Sequence, residues 1–135
     1  MTPDVLFKPF KLGKLELANR IVMAPMTRQF SPNGVPDKNV VDYYRRRAEG
    51  GVGLIITEGT TIQHEVASSG VQIPCFHCDA LEGWNHVVEA VHAAGGKIST
   101  HLWHVGAILI PGEGPHTDYT LLLLSDYINP SVHVL

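Results

Sequence analysis

Apolar and polar positions along the chain follow two periods, one typical of buried strands and one of amphipathic helices. Residues 21–24 form a continuous apolar run, as expected of a strand covered on both faces, and Pro25 removes a backbone donor where the run stops. Residues 52–57 and 97–104 are predicted as two further strands. With a helix between each pair, this order predicts parallel βαβ units with right-handed crossovers.

Start and stop signals identify the two helices. Asp37 is a good N-cap for a helix that runs to about Glu49, with three arginines in its final turns and two glycines beyond it. In the second helix, five apolar residues fall on one stripe at helical spacing before Gly95 ends it. The stripe consists of Leu81, Trp84, Val87, Val88 and Val91.

A short hairpin precedes the first strand, because residues 7–12 and 14–17 alternate apolar and polar side chains around Gly13. For the strands and helices that follow the hairpin, two architectures fit the order of elements: an open doubly wound sheet and the start of an eight-stranded barrel. The open sheet predicts a glycine-rich phosphate turn after the first strand, and residues 25–28 contain no glycine. We therefore expect an α/β fold that is a partial (β/α)8 TIM barrel, with three βα units after the N-terminal hairpin.

Composition and charge narrow the classes of function. The 135-residue chain is 44% hydrophobic and 17% charged, which is enough apolar material for one domain with a core. Its net charge of −3 gives no electrostatic reason to expect nucleic acid or an anionic membrane as a partner. Neither a signal peptide nor an apolar segment near the roughly 18 residues of a membrane span is recognisable. We expect a soluble cytoplasmic protein with a small-molecule substrate.

The cysteines allow more than one interpretation. Cys75 and Cys78 are the only two, in the sequence Cys-Phe-His-Cys. A redox or zinc site with this spacing needs a helix N-terminus after a strand, or further ligands such as His64 and His86. We favour two free thiols in a loop and predict no metal site.

Three predicted strand ends carry unusual residues. Thr27 follows the first strand, Glu58 and Gly59 follow the second, and His101 to His104 end the third. His101 and Trp103 are two residues apart and therefore share a face of their strand. Because functional groups of such barrels lie at the C-terminal ends of the strands, these residues could converge on one ligand.

Several motifs, in this order and spacing, resemble the N-terminal part of the old yellow enzyme family, the FMN-binding (β/α)8 barrels also called NADH:flavin oxidoreductases. The matching stretches are LFKPF at 6–10, NRIVMAPMTR at 19–28, YYRRRA at 43–48, GLIITEG at 53–59, residues 84–95 and LWHVG at 102–106. Residues 1–107 are interpreted as the N-terminal part of an FMN-binding barrel, and residues 108–135 as a divergent tail of unknown role.

The resemblance implies FMN as the cofactor and NAD(P)H as the reductant, with hydride passed from the flavin to an activated alkene. It also implies that Ala24, Pro25 and Met26 contact the flavin, and that the Thr27 hydroxyl donates a hydrogen bond to a flavin carbonyl. The alternative for Thr27 is a cap of the following turn.

The resemblance also implies roles for residues at the ends of the second and third strands. Gly59 would let the backbone approach the flavin, or is a plain turn glycine. His101 stands where the family usually carries a glutamine that binds the pyrimidine edge of the flavin; alternatively it belongs to a polar rim network. Trp103 would contact substrate or pack in the core. Glu58 is interpreted as a structural carboxylate rather than a base.

No catalytic residue is predicted, because the family's substrate-anchoring pair, its proton-donating tyrosine and its phosphate-binding residues have no counterpart in this sequence. Two hypotheses follow. In the first, the chain is an FMN-dependent ene-reductase. In the second, it is a catalytically silent truncated remnant or a half-barrel that needs a partner chain, with self-association through the incomplete barrel edge.

Overall fold

The computed structural model describes residues 3–106, which form an α/β fold with a two-stranded and a three-stranded sheet. The predicted tail at 108–135 lies outside the described residues. The elements in chain order are β1 (Phe10–Leu12), β2 (Leu15–Leu17), β3 (Val22–Met23), α1 (Lys38–Glu49), β4 (Leu54–Thr61), α2 (Ala80–Ala93) and β5 (Ile98–Trp103), with short 3-10 helices at Pro3–Phe7 and Pro32–Gly34.

The predicted hairpin and both helices are confirmed. β1 and β2 pair antiparallel, with Phe10 opposite Leu17, and Gly13 between them has a φ of +58°. α1 starts directly after Asp37 and ends at Glu49, as the cap and stop signals predict. In α2 the stripe is confirmed for Trp84, Val87 and Val91, which are buried.

Leu81 departs from the predicted stripe of α2. It is 48% exposed, although Ala80, which precedes it in the first turn, is buried. Gly83 is buried instead, and a Cβ there would lie 2.5 Å from the Pro36 carbonyl oxygen. The chain entering α1 therefore covers the side of the first α2 turn that the periodicity could not identify.

The two helix starts provide a matched pair of substitutions. The Asp37 carboxylate accepts hydrogen bonds from the amides of Asn39 and Val40, whereas Asp79 at the start of α2 makes no such bond. We expect Asp37→Ala to lower the free energy of unfolding by about 1 kcal/mol, since the first amides of α1 lose their acceptor. Asp79→Ala is the control and should change it far less. Equal losses in denaturant titrations of the two variants would contradict the capping role.

The central sheet is parallel and has the order β3-β4-β5, as the βαβ pattern predicts. One face carries Ile55 of β4, with Met23 and Ile98 packed around it, against the two helices. Both helices contribute to this core through Val40, Tyr44, Ala48, Ala80, Trp84, Val87 and Val91. Burial of these side chains fixes the sheet against α1 and α2.

The opposite face of the sheet is open among the described residues. Val22 is 46% exposed, Leu54 and Ile56 are half-buried and Ser99 is exposed. The prediction that the apolar run at 21–24 is covered on both faces is therefore wrong for residues 3–106. An apolar run indicates that a strand can be buried on both faces, but the covering groups come from elsewhere in a structure.

The strand ends also differ from the prediction. β3 is limited to two residues, and β4 runs to Thr61 instead of stopping at Thr57. Residues 59–61 extend β4 because they pair with His101, Leu102 and Trp103 of β5. Gly59 consequently lies inside a strand, and its interpretation as a turn glycine is wrong. Pairing between strands distant in sequence decided this boundary, and local residue patterns do not report it.

Candidate functional site

The residues singled out at the strand ends lie at one end of the central sheet. Gly59 of β4 is the register partner of His101 of β5. The backbone amide of Arg28, directly after Thr27, donates a hydrogen bond to Oε2 of Glu58 at 3.1 Å, which brings the segment after β3 to the same place. The predicted neighbourhood of Thr27, Gly59 and His101 is thus present, while their contacts with a ligand stay predictions.

The segment between β3 and Arg28 forms the open part of this site. Residues 24–27, which are Ala24, Pro25, Met26 and Thr27, are all exposed and outside regular secondary structure. Met26 is 58% exposed. A flat or planar ligand could therefore contact this segment without displacing core side chains.

A bulge shapes the end of β4. Thr57 and Glu58 lie between the register pairs Ile56–Ser99 and Gly59–His101, so two residues of β4 face only one of β5. The Thr57 hydroxyl oxygen accepts a hydrogen bond from the backbone amide of His101 at 3.0 Å and so replaces the missing ladder bond. The extra residue changes which face the following side chains occupy and turns Gly59 toward Trp103.

Gly59 is required by its tryptophan neighbour. A Cβ atom at position 59 would lie 2.5 Å from Cε3 of Trp103 and 2.6 Å from Cδ2, both atoms of the indole ring. The half-buried indole therefore packs directly on the glycine backbone. This packing agrees with the core interpretation of Trp103, and its contact with substrate stays a prediction.

His101 and Trp103 each bury a ring nitrogen that has no hydrogen-bond partner within residues 3–106. These atoms are Nδ1 of His101 and Nε1 of Trp103. The two rings meet edge to face with centroids 6.3 Å apart. Because an unpaired buried donor or acceptor is costly, about 1–3 kcal/mol, the two nitrogens mark positions where a ligand could supply the missing bond.

Glu58 is the centre of a buried polar network. Its side chain has no exposed surface and forms an ion pair with the guanidinium group of Arg28. The Tyr44 hydroxyl accepts a hydrogen bond from the Glu58 amide at 2.8 Å and donates one to Oε1 at 3.4 Å. Burial raises the pKa of Tyr44 well above its ordinary value, so the phenol keeps the proton that it donates. These contacts agree with the interpretation of Glu58 as a structural carboxylate.

Sequence reasoning missed Arg28 and Tyr44 as the partners of Glu58. A signal was present, because an acidic residue inside the apolar run of β4 must be paired if the strand is buried. The sequence does not say which of its ten lysines and arginines provides the pair. Only the folded chain brings Arg28 and α1 to the end of β4.

A second contact that the sequence did not predict joins two histidines. Nε2 of His104 lies 3.1 Å from Nδ1 of His64, and Nδ1 of His104 accepts a hydrogen bond from the Gly106 amide at 3.1 Å. The proton of neutral His104 is thus on Nε2 and is donated to His64. Burial lowers the pKa of His104, and the neighbouring His64 lowers it further.

We expect an NMR titration to place the pKa of His104 below the ordinary value of about 6.5. Since the folded chain then binds fewer protons than the unfolded chain just below pH 6.5, this group makes stability rise with pH in that window. In His64→Gln the pKa of His104 should move back upward, because a second ionisable ring no longer faces it. A midpoint at or above about 6.5 in the unmodified chain would refute this account.

The two cysteines are free, as predicted. Cys75 is half-buried, which raises the pKa of its thiol, and the exposed Cys78 has its sulfur 3.4 Å from Nδ1 of His77. Residues 3–106 contain no group of three or more His, Cys, Asp or Glu side chains that could hold a metal ion. The zinc interpretation therefore has no support in this part of the chain.

Membrane-spanning helices are absent from residues 3–106. No helix there is long and apolar enough to cross a membrane.

A cavity of about 740 Å³ lies beside the site rather than within it. It is bounded by the end of β4, the loop that follows and the turn at Pro32–Gly34, with Thr61, His64, Ile73 and Cys75 among its lining residues. None of the seven residues predicted to bind cofactor or substrate lines it. The predicted site is instead an open surface, because three adjacent strand ends do not enclose a ligand.

Comparisons with known proteins find relatives that are reductases. Chanoclavine-I aldehyde reductase of Penicillium roqueforti is 47% identical over 103 residues, which are 75% of this chain and 28% of that protein. 12-Oxophytodienoate reductase 2 of Arabidopsis thaliana is 34% identical over 110 residues, or 82% of this chain and 29% of its own length.

Solved structures agree with this class. A morphinone reductase in complex with tetrahydroNAD superposes with a TM-score of 0.71 at 47% identity, over 78% of this chain and 29% of that one. An old yellow enzyme from Pichia sp. AKU4542 gives a TM-score of 0.73 at 38% identity, over 79% of this chain and 28% of that one. The chain spans less than a third of the length of each of these relatives.

The model of the NADH:flavin oxidoreductase / NADH oxidase family matches residues 5–120. This match covers most of the sequence, and the chain belongs to that family. The resemblance stated from the motifs is thereby confirmed for the N-terminal region of such proteins.

Proposed function

We propose that residues 1–107 form the N-terminal part of an FMN-binding (β/α)8 barrel and that the protein is an FMN-dependent oxidoreductase of the ene-reductase type. Family membership supports the flavin chemistry. The barrel is supported by three parallel strands that neighbour one another in chain order, as successive barrel strands do. Bound FMN would supply hydride transfer from NAD(P)H to an activated alkene, a small-molecule substrate. The tetrahydroNAD complex of morphinone reductase supports a nicotinamide as reductant.

The observation that carries the cofactor assignment is the unpaired Nδ1 of His101. This atom is buried without a hydrogen-bond partner within residues 3–106, on the strand end that Thr57 fixes through the His101 amide. A neutral imidazole nitrogen can donate to or accept from the polar pyrimidine edge of a flavin. The residues present therefore fit FMN, with an imidazole at the position where the family resemblance implies a glutamine amide.

The other residues would bind and orient the ring. Ala24, Pro25 and Met26 would contact it through the exposed segment after β3, and the Thr27 hydroxyl would donate to a flavin carbonyl. Gly59 would keep side-chain atoms away from the ring edge and allow the indole of Trp103 to pack on the strand. Trp103 would then form one wall of the substrate position.

Titration of the purified 135-residue chain with FMN, followed by flavin fluorescence and absorption, tests this function. We expect saturable binding, and we expect His101→Ala to weaken it about fivefold, since one hydrogen bond contributes about 1 kcal/mol. The matched control is His92→Ala, on the exposed side of α2 and away from the strand ends. Oxidation of NADPH by a cyclohexenone acceptor then tests turnover. A chain that binds no FMN, or equal affinities of both variants, would contradict the assignment.

A second candidate is a chain that acts only after self-association, and it is favoured by the open sheet. Among residues 3–106, β3 and β5 each pair only with β4, so each has one unpaired edge, and Val22 is exposed on the open face. Sedimentation equilibrium with and without FMN separates the two candidates. Flavin bound by a monomer supports the first, flavin bound only by a dimer supports the second, and a catalytically silent remnant would bind none in either state.

A further inference from the structure

The Arg28–Glu58 contact is an anchor for the segment that carries Thr27. Glu58 accepts hydrogen bonds from two different parts of Arg28: from the backbone amide at 3.1 Å through Oε2, and from the guanidinium Nε at 3.2 Å through Oε1. The carboxylate is fully buried and the Arg28 side chain is 14% exposed. One side chain of β4 thus fixes both the backbone and the side chain of residue 28.

Aromatic residues of α1 hold the same arginine from another direction. The guanidinium carbon of Arg28 lies 3.6 Å from the centre of the Tyr43 ring and 5.3 Å from that of Tyr44. Such contacts between a cation and an aromatic face are favourable, and more so when water is excluded. Tyr44 also hydrogen-bonds the backbone and carboxylate of Glu58, so the helix, the strand and the arginine form one connected unit.

This unit determines where Thr27 lies. The β3 ladder ends at Met23, and residues 24–27 are exposed and outside regular secondary structure. The segment is therefore held at its start by the pairing of Met23 with Ile55 and at its end by the Arg28 amide. That amide belongs to the peptide plane that joins Thr27 to Arg28, so its bond to Glu58 orients the Thr27 backbone directly.

We propose that Arg28, Glu58 and Tyr44 are positioning residues that set the Thr27 hydroxyl against the flavin and thereby raise the reduction potential of bound FMN. This inference rests on the proposed function. A hydroxyl that donates to a flavin carbonyl binds more strongly as the ring gains electron density, so it favours the reduced form. A displaced hydroxyl would lose that preference, so the positioning residues would act on the potential through Thr27.

The test is a double-mutant cycle on the potential of FMN bound to the full chain. The variants are Thr27→Val, which removes the hydroxyl with little change of shape, Arg28→Lys, which keeps the charge but loses the planar guanidinium, and the two combined. We expect Thr27→Val to reduce the preference for reduced over oxidised FMN about tenfold, which is about 30 mV for a two-electron couple. Arg28→Lys should change the potential in the same direction, and the double variant no further than Thr27→Val alone.

A matched control is Arg45→Lys, whose side chain is on the surface of α1 and pairs with Asp42 and Glu49. Its potential should equal that of the unmodified chain. If Arg28→Lys binds FMN with an unchanged potential, or if the effects of the two substitutions simply add, the positioning role is overturned. If Arg28→Lys does not fold, Tyr44→Phe replaces it in the cycle, because it keeps the ring and removes both hydrogen bonds to Glu58.

Hydrogen exchange of the flavin-free chain provides a second readout. The Arg28 amide should be protected in the unmodified chain and should exchange faster in Arg28→Lys, where its acceptor is held less firmly; equal exchange would overturn the anchor. Failure of the proposed function gives a different result. A chain that binds no FMN refutes that function together with the flavin step, whereas bound FMN with potentials independent of residue 28 refutes only the positioning role.

Discussion

Replacement of Glu58 by alanine is expected to lower the free energy of unfolding by about 3–5 kcal/mol, the typical loss when one member of a buried ion pair is removed. The Glu58 side chain is fully buried and the Arg28 side chain is 14% exposed. Without the carboxylate, this cation and the Arg28 amide both lose their acceptor, and the Tyr44 hydroxyl loses a partner. Desolvated groups without partners account for most of the loss.

The measurement is equilibrium unfolding in denaturant, with Glu49→Ala as control. Glu49 pairs with Arg45 on the exposed surface of α1, where solvent screens the attraction, so its removal should change stability little. The combined variant Arg28→Met with Glu58→Leu should be less destabilised than Glu58→Leu alone, because no unpaired charge remains. A loss below about 1 kcal/mol for Glu58→Ala would show that water reaches the site and solvates Arg28.

Gly59→Ala is expected to lower the free energy of unfolding by about 1–3 kcal/mol, the usual effect of overpacking. The new methyl group would lie 2.5 Å from the Trp103 ring, closer than non-bonded carbon atoms can approach. A rigid indole has no free end that can turn aside, so either the ring or β4 must move. Because Gly59 pairs with His101, we also expect weaker FMN binding in this variant.

Gly70→Ala is the matched control, since its Cβ would lie 3.8 Å from the nearest atom, Cδ1 of Ile73, at ordinary contact distance. It should leave stability almost unchanged. Trp103→Leu in the Gly59→Ala background should restore part of the lost stability, because the smaller side chain leaves room for the methyl group. Additive effects of the two substitutions in denaturant unfolding would contradict direct packing of Trp103 on Gly59.

Glu58→Ala and Gly59→Ala test the contacts of two residues that are neighbours in the sequence but contact different parts of the structure. Glu58 connects β4 to α1 and to Arg28, whereas Gly59 connects β4 to the rings of β5. The bulge at residues 57–58 makes this possible by changing the direction of successive side chains. One irregular strand end thus supports both the segment that carries Thr27 and the position of His101.

The sequence predicted the helices and the parallel order of the strands well because their signals are local. Asp37 caps α1 through amides two and three residues away, and Gly51 and Gly95 follow the helices with positive φ angles. Periodicity identified the buried face of α2, except at Leu81, which lies in the first helical turn. The family motifs likewise depend only on residue order and were confirmed by the match to residues 5–120.

Tertiary structure alone decided the features that join distant residues. The extension of β4 to Thr61 depends on pairing with β5, the partners of Glu58 come from α1 and from the segment after β3, and His64 meets His104 across forty residues. The sequence limited which contacts were possible, since a buried acid needs a cation, and a glycine inside a strand indicates a bulge or the close approach of another group. It did not determine which residues contact one another. The residue pattern indicates which side chains are buried or exposed, but the partner of each side chain depends on how the whole chain packs.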